Sequence, residues 1–282
     1  MIVSGSASQS LAAALAAETG DALAPVEFQR FPDGELLAEV GDVDLDRAVV
    51  VAATVSSDAL VELLQLQDAA REAGADEVVT VLPYMGYARQ DEAFEAGQPV
   101  SARAMARAIS SGTDRVVTVT PHEPGVAEHF TVPAEAVEAA GLLAEPLPGD
   151  LADPVFLSPD SGAVDIAETV RDAYGRGATD YFEKTRLSGT DVEIEPSDAA
   201  VADRDVVLTD DIVATGSTMA ESIAVLSDRG AARVFVTCVH PLLAANAHTK
   251  LARAGVEAVY GTDTIERSVS EVSAAPVIAD AL

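Results

Sequence analysis

Short apolar stretches rich in valine alternate with segments of helical spacing along the whole chain. The apolar stretches predict strands at Ala48–Val55, Val78–Leu82, Val116–Val119, Val155–Ser158, Val206–Thr209, Val234–Val239 and Ala258–Tyr260. The segments between them predict helices at Ala59–Ala73, Ala102–Ser110, Ala163–Tyr174, Ser217–Asp228 and Leu243–Ala254. Near-continuous apolar strands are typical of sheets covered on both faces, so the pattern predicts an α/β fold with mostly parallel sheets flanked by helices.

The chain is long enough for one large or two ordinary domains, at 282 residues. A segment rich in proline, Glu145–Pro154, is the best candidate for a linker, and the parts on either side share a similar strand–helix rhythm. We therefore predict two domains, 1–145 and 146–282, with last residues that could pack back on the first domain.

The charge is strongly negative and spread along the sequence. Forty-seven acidic residues against seventeen basic ones give a formal net charge of −30, and the lysines are Lys184 and Lys250. A surface of this kind repels itself at low salt, whereas at about 1 M salt the Debye length falls to ~3 Å. We interpret the charge as adaptation to a salt-loaded cytoplasm like that of halophilic archaea. Nucleic-acid binding is not expected, because no basic stripe could meet the phosphate backbone.

Several further features favour a cytoplasmic protein. No apolar run approaches the roughly 20 residues that a membrane span requires, so no membrane association is expected. The beginning of the sequence, Met1–Gly20, lacks a basic segment and does not resemble a signal peptide. The single cysteine, Cys238, excludes a disulfide within the chain and is expected to be buried in a strand.

The stretch Asp205–Thr218 carries the most specific chemistry. A β-branched run ends in adjacent carboxylates, Asp210 and Asp211, which could accept hydrogen bonds from two vicinal sugar hydroxyls or hold a divalent cation. A loop then leads into a predicted helix, and its N–H groups and hydroxyls could bind a phosphate at the positive helix end. The loop residues are Ala214, Thr215, Gly216, Ser217 and Thr218. These parts suit ribose 5-phosphate; the alternative is a solvated corner with Ser217 or Thr218 as an ordinary N-cap.

Three other segments carry candidate chemistry. Arg30–Glu35 contains a Pro-Asp-Gly core, for which a plain β-turn between strands is the alternative. Pro83–Asp91 ends in an arginine, an amide and a carboxylate beside two tyrosines, where a loop salt bridge is the alternative. Phe182–Arg186 places two cations before a polar loop, where a charged sheet edge is the alternative. The scarcity of lysine weakens that last alternative, whereas Lys250 lies on a helical pattern that we expect to be far from every motif.

Together these segments resemble the ribose-phosphate pyrophosphokinase family over essentially the whole chain. The matching motifs are Phe31-Pro-Asp-Gly-Glu, Tyr87-Ala-Arg-Gln-Asp, Pro99-Val-Ser-Ala, Ser158-Pro-Asp-Ser-Gly, Lys184-Thr-Arg and Asp210-Asp211 with its loop. The resemblance implies two tandem phosphoribosyltransferase-like domains that make 5-phosphoribosyl 1-pyrophosphate and AMP from ATP and ribose 5-phosphate with Mg²⁺. It also implies a homo-oligomer whose ATP site is shared between subunits.

The resemblance also implies roles for individual residues. ATP would be bound by Phe31, Asp33, Gly34, Glu35, Arg89, Gln90 and Asp91. Ribose 5-phosphate would be bound by Arg186, Asp210, Asp211, Ala214, Thr215, Gly216, Ser217 and Thr218. His122 and Asp160 would be associated with Mg²⁺, and Lys184 and Arg186 would be the catalytic pair. Two other readings stay open: a type I phosphoribosyltransferase, and a catalytically silent regulatory subunit of the same fold.

Overall fold

A computed structural model of the chain describes residues 1–186, 192–196 and 200–282, with the side chains of all of these except 183–186 and 192–196. Strands and helices alternate along it. In chain order they are β1 (Ile2–Ser4), α1 (Gln9–Thr19), β2 (Val26–Arg30), β3 (Leu36–Val40), β4 (Arg47–Val51), α2 (Ser57–Glu72), β5 (Glu77–Leu82), α3 (Ser101–Ser110), β6 (Arg115–Val119), β7 (Ala134–Val137), β8 (Val155–Ser158), α4 (Val164–Tyr174), β9 (Ala178–Arg186), β10 (Val192–Pro196), β11 (Asp205–Ile212), α5 (Ser217–Asp228), β12 (Arg233–His240), α6 (Ala247–Ala254), β13 (Ala258–Thr262), β14 (Ser270–Val272) and α7 (Ala275–Ala279). Short 3-10 helices lie at Pro124–His129, Ala140–Ala144 and Ser161–Ala163.

The chain folds into two compact units. The first comprises Met1–Glu138, Asp263–Glu266 and Ser273–Leu282, and the second comprises Ala139–Thr262 and Arg267–Val272. The division after Glu138 precedes the boundary predicted at residue 145, because the 3-10 helix at Ala140–Ala144 packs against α4 of the second unit.

The first unit is built on a parallel sheet with the order β1-β4-β5-β6-β7. Its central valines, such as Val50 on β4 and Val78 on β5, are fully buried against helices that include α2 and α3. Beside the sheet, β2 and β3 form an antiparallel hairpin in which Arg30 pairs with Leu36. The C-terminal helix α7 packs on α1 in the same unit.

The second unit has the strand order β10-β9-β8-β11-β12-β13-β14. The strands are parallel except for β10, which runs antiparallel to β9. On one face of the sheet, Leu208 and Val236 pack with Ile223 and Leu226 of α5. Because β11 lies between β8 and β12, the residues at its carboxyl end emerge at the middle of the sheet.

The predicted fold class is confirmed, and each predicted strand and helix has a counterpart in the structure. Cys238 is fully buried on β12, as expected. The helix predicted from Leu243 begins only at Ala247, because Leu243 and Ala245 have positive φ angles of 45° and 54° that no α-helix accepts. In the part of the chain that the structure describes, no helix is long and apolar enough to cross a membrane.

Apart from the three-residue β1, the strands without a predicted counterpart lie at or next to a sheet edge or in the hairpin. They are β2, β3, β7, β9, β10 and β14. Their sequences mix charged and apolar residues because one face or one edge meets solvent, so they lack a continuous apolar run.

Asp205, at the beginning of β11, is a buried carboxylate that ties the second unit together. Arg233 on β12 donates two hydrogen bonds to it, from Nε at 2.9 Å and from Nη2 at 2.6 Å, and the N–H of Ala152 donates another at 2.6 Å. The Arg233 guanidinium holds the pKa of Asp205 below its usual range, assisted by the Ala152 N–H and opposed by burial.

We predict that Arg233→Ala lowers the free energy of unfolding by roughly 3 kcal/mol, because it leaves the buried Asp205 carboxylate without its cation. The Arg233 side chain is about a third exposed, which limits the loss. In the wild-type protein this stabilisation is full above the unfolded-state pKa of about 4 and is lost as the pH falls through the lower folded-state value. The difference between variant and wild type should therefore narrow in acid. Chemical denaturation in concentrated salt measures it, and Arg171→Ala, which breaks an exposed pair with Asp172, is the control and should cost under ~1 kcal/mol.

Candidate functional site

In the second unit, Asp210 and Asp211 lie at the carboxyl end of the central strand β11. Asp211 is buried and Asp210 is half-buried, and the N–H of Asp211 donates to Oδ1 of Asp210 at 3.0 Å. Asp160 follows the neighbouring strand β8, and its Oδ1 accepts the N–H of Gly162 at 3.1 Å. Carboxyl ends of adjacent parallel strands are where α/β sheets bind ligands.

The three carboxylates form an unfavourable concentration of negative charge. Burial raises the pKa of Asp210 well above its usual range, and the neighbouring charges of Asp211 and Asp160 raise it further. A ligand that brings a cation or hydroxyl donors would relieve this repulsion. The arrangement therefore suits a divalent cation or a sugar with adjacent hydroxyls.

The loop after β11 leads directly into α5. Gly216 occupies the N-cap position with a φ of 68°, a left-handed conformation that suits glycine, and it offers no side chain to cap the helix. Ser217 and Thr218 are inside the helix, so the alternative in which one of them is an ordinary N-cap is wrong. The first N–H groups of a helix have no partner within it, so this end of α5 can bind an anion.

The carbonyl side of this loop is held by the segment between β12 and α6. The carbonyl oxygen of Val213 accepts the N–H of Leu243 at 2.9 Å, and that of Ala214 accepts the N–H of Ala244 at 2.8 Å. The left-handed backbone at Leu243 supports this pairing, and a strained backbone of this kind is frequent at functional sites.

Lys250 on α6 is a residue that the sequence reasoning misplaced. Its Nζ donates to the carbonyl oxygen of Thr215 at 3.0 Å and to Oγ of Ser217 at 2.7 Å. The expectation that Lys250 lies far from every motif is therefore wrong. The scarcity of lysine in the chain was the one sequence feature that could have indicated a role for Lys250. The contact itself could not be predicted, because over thirty residues separate Lys250 from the loop.

In the first unit, the predicted ATP segment at Phe31–Glu35 forms the turn of the β2–β3 hairpin. Gly34 has a φ of 96°, and Oδ1 of Asp33 accepts the N–H of Glu35 at 3.1 Å, which fixes the turn. Phe31 remains 38% exposed. Arg30 donates to the carbonyl oxygen of Gly34 and forms an ion pair with Asp58 of α2.

The second predicted ATP segment, Tyr87–Asp91, follows β5. A Cβ at Gly86 would lie 2.2 Å from the carbonyl oxygen of Thr54, so this close approach requires glycine. Oγ1 of Thr54 also accepts the N–H of Gly86 at 2.8 Å. The side-chain oxygen of Gln90 accepts the hydroxyl of Ser101, while Arg89 is exposed.

Both predicted ATP segments reach the amino end of α2. The hairpin contacts it through the Arg30–Asp58 ion pair, and the Tyr87 hydroxyl lies 2.6 Å from Oγ of Ser57. The structure thus brings together two motifs that are far apart in sequence and anchors both on one helix. A nucleotide could contact the exposed side chains of both.

The remaining predicted site residues are His122, Asp160, Lys184 and Arg186. His122 is exposed after β6 in the first unit, and Asp160 belongs to the second. Lys184 and Arg186 lie on β9, but their side chains and residues 187–191 lie outside the described residues. Among the described side chains, no three of His, Cys, Asp or Glu are grouped closely enough to hold a metal ion. The donor chemistry nevertheless fits Mg²⁺, which commonly takes one or two carboxylates together with substrate phosphates.

Two family models match the chain. Residues 1–112 match the N-terminal domain of ribose phosphate pyrophosphokinase, and residues 131–273 match the phosphoribosyl transferase domain.

Similar proteins cover the chain from end to end. A ribose-phosphate pyrophosphokinase from Halobacterium salinarum is 69% identical, with all of both chains covered. One from Methanosarcina mazei is 45% identical and covers all of this chain and 94% of its own. The crystal structure of phosphoribosylpyrophosphate synthetase from Mycobacterium smegmatis superposes with a TM-score of 0.84 at 28% identity, covering 100% of this chain and 96% of that one.

The raised pKa of Asp210 has a measurable consequence. A carboxyl whose folded-state pKa lies above its unfolded value loses stabilisation as the pH rises through the folded value. We predict that Asp210→Asn raises the melting temperature of the ligand-free protein at pH 8, and that this gain shrinks towards pH 5. Calorimetry across that range measures it, with Asp68→Asn at an exposed position of α2 as the control. A gain that does not depend on pH would contradict the assignment.

Proposed function

The chain belongs to the ribose-phosphate pyrophosphokinase family, and we propose that it transfers the β,γ-pyrophosphoryl group of ATP to the C1 hydroxyl of ribose 5-phosphate. The products are 5-phosphoribosyl 1-pyrophosphate and AMP, which serve nucleotide biosynthesis. The observation that carries the proposal is the acidic pair and open helix end that follow β11 in the second unit.

Ribose 5-phosphate binds at the carboxyl end of β11. Asp210 and Asp211 accept hydrogen bonds from two ring hydroxyls, which the raised pKa of Asp210 makes favourable. The 5-phosphate is bound by the N–H groups and hydroxyls of the loop from Ala214 to Thr218, at the positive end of α5. Arg186 is assigned to the same substrate from the family motif alone, since its side chain lies outside the described residues.

ATP binds to the first unit along the hairpin turn and the loop after β5. Phe31 supplies an aromatic face, Asp33, Gly34 and Glu35 supply turn atoms, and Arg89, Gln90 and Asp91 supply polar groups. The support for this assignment is the anchoring of both segments on the amino end of α2. Phe31 and Tyr87 keep 38% and 47% of their surface exposed, which supports a homo-oligomer in which a second copy completes the ATP site.

The reaction is an in-line displacement at the β-phosphorus. The C1 oxygen forms a bond to that phosphorus and loses its proton to water, while the bond to the α,β-bridging oxygen breaks and AMP leaves. Such catalysis depends mainly on alignment and on neutralising phosphate charge. Lys184 and Arg186 stabilise the transferring group. His122 and Asp160 are the residues that we assign to Mg²⁺, which would supply neutralising charge if it were bound.

The two other readings are less well supported. A type I phosphoribosyltransferase would not need the first unit, whose residues 1–112 match a domain of the pyrophosphokinases. A catalytically silent subunit would be expected to lose part of the site, but His122, Asp160, Lys184 and Arg186 are all present in this sequence.

We further propose that the enzyme works in a salt-rich cytoplasm as a halophilic protein. The net charge of −30 supports this, because salt at molar concentration screens repulsion between surface carboxylates. The single, buried cysteine is compatible with a reducing compartment.

The proposed reaction predicts AMP and 5-phosphoribosyl 1-pyrophosphate in equal amounts when the protein receives ATP, Mg²⁺ and ribose 5-phosphate in ~2–3 M KCl, a concentration chosen for charge screening. Chromatography of the nucleotides measures this, and each component omitted in turn is the control. ADP as the product would indicate an ordinary kinase. The absence of any turnover at all salt concentrations would support the silent subunit, and full activity in dilute buffer would contradict the halophilic proposal.

Lys184→Ala should lower turnover by about a hundredfold to a thousandfold, the range for loss of one donor that stabilises charge in the transition state. Binding of substrates should change much less, because this contact is proposed to strengthen during transfer. Steady-state kinetics separate the two effects. Lys250 contacts the phosphate loop and is therefore unsuitable as a control. The matched control is Arg229→Ala, which removes an exposed cation at the carboxyl end of α5. This end lies roughly 18 Å from the loop, the length of a helix of 12 residues. If both variants behave alike, the assignment of Lys184 is wrong.

A further inference from the structure

Three consecutive carbonyl groups of the phosphate loop, those of Val213, Ala214 and Thr215, are all held from the same segment of chain. The first two accept backbone N–H groups of Leu243 and Ala244. The third accepts the side chain of Lys250 at 3.0 Å. At Val213 the N–H also donates, to the carbonyl of His240 at 3.2 Å, whereas Ala214 and Thr215 are held through their carbonyl groups.

The third bond comes from a side chain of α6, because the backbone beyond Ala244 turns into that helix. The N–H of Ala247 donates to the carbonyl of Ala244, and that of Lys250 donates to the carbonyl of Asn246 as α6 begins. Side chains on a helix lean towards its amino end, so the Lys250 stem reaches back to the loop. Ala247 in the same turn lies 3.4 Å from where a Cβ of Gly216 would be, which leaves the loop in close contact with α6.

The Thr215 contact also determines which way the loop N–H groups point. The peptide between Thr215 and Gly216 is trans, so its N–H is opposite to its carbonyl group. Since the carbonyl of Thr215 is directed at Lys250, the N–H of Gly216 is directed away from it. That N–H is therefore available to an anion on the open side of the loop.

The second contact of Lys250 restricts the hydroxyl of Ser217. An ammonium group donates and cannot accept, so Oγ of Ser217 must be the acceptor in the 2.7 Å bond. The hydroxyl hydrogen of Ser217 then has to point to another acceptor, and Thr215 Oγ1 at 3.4 Å is a distant one. A phosphate oxygen is a stronger acceptor for this hydrogen.

We propose that Lys250 is a positioning residue of the ribose 5-phosphate site, which fixes the loop from its carbonyl side and orients the Ser217 hydroxyl as a donor to the 5-phosphate. This proposal rests on the function proposed above and adds to it a residue from outside the motifs. The positive charge of Lys250 lies behind the loop and further favours an anion on its open side. The chain contains only one other lysine, Lys184, so a lysine at this position is consistent with a specific role.

The test compares steady-state kinetics of Lys250→Ala, Lys250→Arg and Arg253→Ala with the wild type, in molar KCl with saturating MgATP. We expect Lys250→Ala to raise KM for ribose 5-phosphate roughly tenfold to a hundredfold, as for lost hydrogen bonds to a charged group. KM for ATP should stay within about threefold, because ATP is assigned to other residues. Lys250→Arg should recover part of the loss, and Arg253→Ala, which removes an exposed cation from the same helix, should match the wild type.

A double-mutant cycle with Ser217→Ala shows whether Lys250 acts through the hydroxyl. The two effects on KM should be clearly less than multiplicative, because either change removes the same oriented donor. Unchanged KM for ribose 5-phosphate in folded Lys250→Ala, or equal increases of KM for both substrates, would overturn the proposal. Fully multiplicative effects would also overturn the proposed route through Ser217.

The proposed function can fail separately. If the wild-type protein produces no AMP, the reaction assignment is wrong, and calorimetric titration with ribose 5-phosphate alone still decides the role of Lys250. Weaker binding by Lys250→Ala than by Arg253→Ala would then support the positioning role, and equal binding would overturn it. Circular dichroism and melting temperature of each variant confirm that only folded proteins are compared.

Discussion

A loop that binds a phosphate through its N–H groups must keep those groups free of partners within the protein, and it must nevertheless be rigid. In the second unit the carbonyl groups of the loop bind other parts of the protein, whereas its N–H groups point the other way. The carbonyl groups of Val213, Ala214 and Thr215 are tied to the segment that leads into α6. Beyond Val213, whose N–H donates to His240, the N–H side of the loop and the open end of α5 face away from these contacts and suit a ligand. The start of α6 and the position of Lys250 both serve this requirement.

Negative charge is tolerated less well at the site than on the surface of the molecule. Carboxylates on the surface remain hydrated, and molar salt screens their repulsion, so a net charge of −30 is tolerable there. Asp210 has neither advantage: burial raises its pKa, and Asp211 and Asp160 add like charge. Asp205, at the other end of the same strand, is more deeply buried, but Arg233 lowers its pKa. One end of β11 is thus neutralised by the protein, whereas the other end is left for a ligand to neutralise.

The predictable part of this structure is the part that local pattern determines. Valine-rich runs such as Val78–Leu82 became buried parallel strands, and the Asp-Asp pair with its glycine loop occupies the predicted strand end. Contacts between distant segments could not be predicted in this way. The local sequence predicts Lys250 to be an ordinary helix residue, and only the packing of α6 against the loop shows its contacts. The local sequence also predicts a helix at Leu243, whereas its φ is positive where its N–H donates to the carbonyl of Val213. Propensity was overridden there by tertiary structure.

The two units share an architecture but treat their helix ends differently, and this difference bears on which unit binds the phosphate. In the first unit, the amino end of α1 is covered by Glu266, whose carboxylate accepts the N–H groups of Ser10 and Leu11 at 2.6 and 3.1 Å. The amino end of α2 is capped by Ser56, and that of α3 by the carbonyl of Gln90. A carboxylate in such a position satisfies the same N–H groups and the same helix dipole that a phosphate would. The end of α5 begins instead at a glycine without a side-chain cap. An incoming phosphate would have to displace an internal acceptor at those helix ends of the first unit, whereas at α5 no side-chain cap has to be displaced, which supports placing the proposed sugar-phosphate site in the second unit.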